Sequence, residues 1–155
     1  MTQTYCIYNQ TRNSFLGMNV TRAATWATRL RGLLGKLRLA PHEGVWLVPS
    51  RGIHTVGMLF PIDVIHLDSD DRVVHLVEHM RPFRIGRISL ACASVLELPA
   101  HTIYASQTQI GDQLTIQPLE ELDTSGGAST RSGDNKSNRP HVLQQKRPVG
   151  EGGHS

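Results

Sequence analysis

The stretch Arg51-Gly52-Ile53-His54-Thr55-Val56-Gly57-Met58 sets an imidazole and a hydroxyl between two glycines, just ahead of an apolar run at residues 62–68. Imidazole titrates near neutral pH, so His54 has the chemistry of a proton donor, a hydrogen-bond partner or a metal ligand. Gly52 and Gly57 permit unusual backbone angles or the close approach of a ligand. The same residues also suit a structural role, with His54 and Thr55 satisfying buried backbone groups and Met58 filling the core. Asp63 is the second unusual group. Strand alternation sets it with Ile65 and Leu67, opposite Ile62, Val64 and His66, which puts a carboxylate on a core face. A buried carboxylate must be paired or multiply hydrogen-bonded. Capping the amides of the turn at residues 57–60 would achieve that; facing His54 across a pocket, as an orienting carboxylate faces a base, is the catalytic alternative.

Other candidates carry less. A two-residue turn at Asp70-Asp71 would place His66 opposite His75, with His79 on the same face opposite Ile62, but no further ligands can be named and solvent-facing histidines are the simpler account. Glu97 either reaches a pocket or pairs with Arg51 or an arginine of residues 81–87. Cys6 and Cys92 are far apart and form no CxxC, so they read as reduced, buried thiols. A phosphate loop, an HExxH, a GxSxG and paired catalytic carboxylates are all absent from the sequence, and neither Thr55 nor Ser94 sits in a nucleophile pattern. No catalytic residue, metal site or cofactor is therefore assigned.

These groups must be held by short strands. The segments 5–8, 15–20, 44–48, 62–68, 73–79, 88–98 and 113–116 are β-branched or alternating and bounded by turn residues, and with few helices between them they predict antiparallel pairing. One amphipathic helix is expected from an N-cap at Thr21 through Ala23, Trp26, Ala27, Leu30, Leu33 and Leu34, ending at Gly35. At 39% hydrophobic and 19% charged residues, the 155-residue chain suits one soluble domain over residues 1–122. Residues 123–155 are poor in large apolar side chains and read as a disordered tail. No run reaches the roughly 20 apolar residues of a membrane span, and no leader segment is evident, so a cytoplasmic location without a membrane partner is expected.

Arg31-Gly32-Leu33-Leu34, the 51–58 stretch, residues 60–68, Val95-Leu96-Glu97-Leu98-Pro99-Ala100 and Gly111-Asp112 follow one another in a recognisable order. Over roughly residues 20–117 the chain resembles the bacterial and archaeal family called domain of unknown function 192, in the branch with a His-Thr-x-Gly-Met centre. The resemblance implies a compact β-barrel or sandwich with one packed helix, and it supplies no reaction, substrate or cofactor. The chain departs from the family pattern at three positions: Asp71 and His101 replace glycines, and His66 replaces an apolar or aromatic residue.

The expected architecture is thus mainly β: a small antiparallel barrel or sandwich with one packed α-helix and a disordered tail. The expected function is a non-catalytic binding or accessory module in which His54, Thr55, Met58 and Asp63 line a polar patch for a small ligand or peptide. An enzyme using His54 and Asp63 as an acid/base pair is the alternative. Nucleic-acid binding through Arg22, Arg29, Lys36 and the basic tail is a further one, weakened by the scarcity of aromatic residues beside the arginines.

Overall fold

A computed structural model describes residues 3–24 and 37–120. Seven strands form one sheet: β1 Thr4–Asn9, β2 Ser14–Ala23, β3 Glu43–Leu47, β4 Ile62–Leu67, β5 Val73–Met80, β6 Ser94–Pro99 and β7 Leu114–Pro118. Their order is β5-β4-β6-β3-β2-β1-β7, and the sheet curls into a half-barrel. The two edge strands meet at their starts, where Arg72 bridges Gln113 and the Val73 amide donates to the Asp112 carbonyl at 2.9 Å. A short helix, α1 Thr102–Ser106, follows β6. The fold is mainly β, as the strand pattern predicts.

Pairing is antiparallel throughout except between β2 and β3. A parallel pair needs a crossover of a dozen or more residues, and residues 24–42 supply that length. The expected helix falls largely in this crossover, so Trp26, Arg29, Leu30, Leu33, Leu34 and Lys36 lie outside the described residues, as does the tail from residue 123. Its expected start is corrected. Thr21, Arg22 and Ala23 are strand residues, held to Val45, Trp46 and Leu47 in the parallel ladder. Those bonds extend β2 past the expected N-cap.

The expected strand over residues 88–98 begins only at Ser94. The preceding residues are recruited elsewhere, into an antiparallel ribbon with residues 51–55. Its bonds run from the Thr55 amide to the Arg84 carbonyl (2.8 Å), from Gly86 to Ile53 (2.8 Å) and from Ser89 to Arg51 (2.9 Å). Ile88 and Leu90 are exposed as a result, and the alternation that suggested a core side misleads. Gly52 is required here, because a Cβ at this position would stand 2.9 Å from Ile88 Cγ1 and 3.1 Å from the Arg87 carbonyl.

The ribbon covers one face of the sheet, burying Ile53, Met58 and Phe60 against Ile62, Val64, Met80, Cys92 and Val95. The other face buries Ile65, Leu67, Leu96 and Leu98 with Ile7, Leu16, Val20 and Ile103 of α1. All six residues of β4 are buried because its strand is covered on both sides. That corrects the expectation of solvent-facing histidines for His66, which has no exposed surface, while His79 is exposed.

Two of the departures from the family pattern have a backbone meaning. Asp71 (φ 59°) and His101 (φ 74°) both lie in the left-handed region that glycine occupies without strain. His101→Gly is expected to raise stability by roughly 0.5–1 kcal/mol, with a smaller gain for Asp71→Gly because Asp tolerates this region better than most residues. Urea unfolding measures both. A loss on His101→Gly would mean that its ring contact with His79, 5.4 Å between centroids, outweighs the backbone strain.

Candidate functional site

The ribbon positions His54. The residue bridges Ile85 across the ribbon, while its neighbour Ile53 turns inward to the core. Thr55 is fully buried and fastens the 81–84 segment. Its hydroxyl donates to the Arg81 carbonyl at 2.7 Å and accepts from the Arg84 amide at 2.9 Å, while its carbonyl accepts from the amides of Phe83 (3.0 Å) and Met58 (3.1 Å). Gly57 (φ 86°) makes the turn that returns Met58 to the core. Thr55 and Met58 thus build the support on which His54 is displayed.

Asp63 lies on the other face. Its Oδ1 accepts from the His79 amide at 2.9 Å and its Oδ2 from the Ile103 amide at 2.8 Å. The first bond arises from a bulge: Ile62 pairs Met80 and Val64 pairs Val77, so Glu78 and His79 together stand opposite Asp63. The extra residue has no ladder partner, and the carboxylate takes its amide. The buried carboxylate is therefore satisfied by backbone amides, as anticipated, but those of β5 and α1 rather than those of residues 57–60. It points toward α1, whereas His54 sits in the ribbon over the opposite face. The sheet separates the two residues, and the facing acid/base geometry is not formed.

The carboxylate on the ribbon side of the sheet is Glu97, which pairs in register with Val64 and Val45 and is fully buried. Its strand position was readable; that both faces of β6 would be covered was not, because the ribbon forms only in the folded molecule.

Around His54 the structure opens a cleft of about 510 Å³ lined by Ser50, Arg51, Gly52, Ile53, His54, Val56, Ile85 and Ile88. Its walls are apolar, with Arg51 and His54 as the titratable groups and no carboxylate. A second depression of about 460 Å³ lies between the start of β2 and α1, where His42 and His101 face Phe15 and Pro41. Neither cysteine offers a nucleophile: both are buried free thiols, and burial pushes each above the usual thiol range, keeping it protonated. Among the described residues no cluster of three His, Cys, Asp or Glu side chains is arranged to hold a metal ion. His66 and His75 do pair in register, 5.3 Å apart between ring centroids.

The model of the family described as uncharacterised ACR, domain of unknown function 192, matches residues 7–116. The chain belongs to the domain of unknown function 192 family. A UPF0127 protein of Thermococcus kodakarensis is 31% identical over 122 residues, covering 76% of each chain. Two solved structures share the fold. One, a candidate transcription regulator of Sinorhizobium meliloti, has a TM-score of 0.62 at 20% identity, covering 75% of this chain and 94% of the other. The second, a protein of unknown function from Novosphingobium aromaticivorans, has a TM-score of 0.60 at 18% identity, covering 72% and 82%.

Within the domain of unknown function 192 fold, His66 is expected to make this chain sensitive to acid. Burial first, then the charges of His75 and Arg87, pushes His66 below its ordinary value of 6.5, and the backbone groups of Arg87 and His75 offset only part of this. The unfolded chain then binds a proton that the folded chain refuses, so stability is present above the unfolded value and declines as pH falls below it. Thermal melting should show a drop between about pH 7.5 and pH 5, and His66→Leu should flatten it. An unchanged slope in His66→Leu would assign the acid sensitivity to other histidines.

Proposed function

We propose that this domain is a non-catalytic binding or accessory module whose small ligand or peptide segment occupies the His54 cleft. One observation carries the reading: an apolar-walled cleft of about 510 Å³, with Arg51 and His54 supplying polar contacts. That volume is within the roughly 300–1,000 Å³ usual for ligand sites, which pair apolar walls with a few placed polar groups. The ligand class that fits has an apolar body and an anionic group. His54 remains the proposed contact, Thr55 and Met58 hold its ribbon, and Asp63 acts on the other face of the sheet. A catalytic reading is less well supported because Asp63 is committed to two backbone amides and faces α1. Among the described residues no helix is long and apolar enough to cross a membrane. Two buried free thiols support a reducing, cytoplasmic setting.

The test is a nuclear magnetic resonance titration of the full chain with decanoate, an apolar chain ending in a carboxylate. Shifts should concentrate at the amides of Gly52, Ile53, His54, Ile85 and Gly86, and should weaken in Ile85→Asp. Shifts at His42 and His101 would move the site to the second depression. Hydrolysis of a decanoyl ester that is lost in folded His54→Ala would replace this reading with the catalytic one.

A further inference from the structure

Residues 49–60 and 81–93 contain Arg51, Arg81, Arg84 and Arg87 and no Asp or Glu. All four arginines are exposed, and among the described residues none enters an ion pair. The same two segments display Val56, Leu59, Phe83, Ile85, Ile88 and Leu90, with Ile85 at 81% and Leu90 at 84% exposure. These six are more than half of the eleven large apolar side chains exposed among the described residues, so the patch is a concentration rather than a scatter. Three of these apolar residues, Val56, Ile85 and Ile88, line the His54 cleft together with Arg51.

We propose that this surface docks a peptide segment of a partner protein in which a short apolar core is flanked by carboxylates. The apolar residues enter the cleft between Ile53, Val56, Ile85 and Ile88. The flanking carboxylates meet Arg84 and Arg87 on one ribbon strand and Arg51 on the other. Guanidinium groups bind carboxylates bidentately, and unpaired arginines beside an apolar cleft supply both register and attraction for such a segment. A flat anionic membrane fits the same arginines less well. A third depression brings Ser69 of the turn beside Arg51 and Leu90, so Asp68, Asp70 and Asp71 border the patch at that end. A bilayer lying across the whole patch would meet those carboxylates, whereas a narrow segment directed toward Arg84 and Arg87 avoids them.

The inference rests on the cleft reading and names its ligand class. It is tested by fluorescence anisotropy of the full chain with a labelled peptide of three leucines between glutamate triplets. A lysine-flanked peptide and phosphatidylserine vesicles serve as comparisons. The glutamate peptide should bind, and raising salt from about 50 to about 500 mM should weaken it, because exposed charge pairs are screened. The Arg84→Glu/Arg87→Glu variant should weaken binding about tenfold or more, as reversal of exposed interface charges does, while its melting temperature stays near that of the parent. Equal binding of both peptides, or affinity unchanged by the charge reversal, overturns the proposal. Binding to vesicles without binding to the peptide also overturns it, in favour of a lipid surface. If decanoate still fills the cleft while the peptide fails, the cleft reading survives and this one falls. If neither binds, both fall.

Discussion

Asp63→Ala should destabilise the protein by roughly 3–5 kcal/mol, because it strands one buried and one part-buried amide that each donated to a carboxyl oxygen. The His79 amide loses its partner at the bulge of β5, and the Ile103 amide loses its partner at the start of α1. Asp63 has no exposed surface, so water cannot readily take its place. Against a total of about 5–15 kcal/mol for a domain of this size, such a loss should shift the urea midpoint far down and reduce soluble yield. Asp63→Asn keeps one carbonyl oxygen but turns an amide group toward a donor, and should lie between the parent and Asp63→Ala. The cleft is on the other face, so decanoate binding by folded Asp63→Asn should match the parent. An Asp63→Ala variant within about 1 kcal/mol of the parent would mean that water or a rearranged bulge satisfies both amides.

Asp112→Ala should cost roughly 2–4 kcal/mol through the loss of a buried, charge-assisted network. The Asp112 carboxylate accepts from Asn9 Nδ2 (2.9 Å), Arg12 Nε (3.0 Å) and the Gln109 amide (2.9 Å). Asn9 in turn accepts from the amides of Thr11 and Arg12, so the network joins the end of β1, its hairpin loop and the entry to β7. Burial pushes the Asp112 carboxyl up, but the hydrogen bonds from Arg12, Asn9 and Gln109, with the Arg12 charge, outweigh it and hold the group below its ordinary range. A group whose folded value is depressed stabilises above its unfolded value, and that contribution is lost as pH falls through the folded one. The resulting loss lies below about pH 4, well under the window set by His66. Urea titrations at two acidic pH values separate the two: Asp112→Asn should remove the lower slope and leave the upper. Retention of the lower slope would assign it to other carboxylates.

Alternation and turn residues were enough to locate six of the strands, because these carry their own apolar patterns and all but β2, which runs on to Ala23, end at or within two residues of Pro, Asn or Asp. Asp63 could be read as a core-face carboxylate from the same alternation, and the order of five short motifs was enough to place the chain in its family. Local pattern could not choose partners. Residues 88 and 89 fall in the strand expected over 88–98, yet with residues 84–87 they join residues 51–55 in a ribbon, since Thr55 offers its amide and hydroxyl to Arg84 and its carbonyl to Phe83. This pairing exposes Ile85 and Ile88 and creates the cleft. Asp63 found its amides in β5 and α1, 16 and 40 residues away, because a bulge left one donor unpaired and the curl of the sheet brought the other near. Which face a residue occupies follows from period two along a strand; what covers that face depends on contacts distant in sequence, and those decided that His54 and Asp63 serve opposite sides of the sheet.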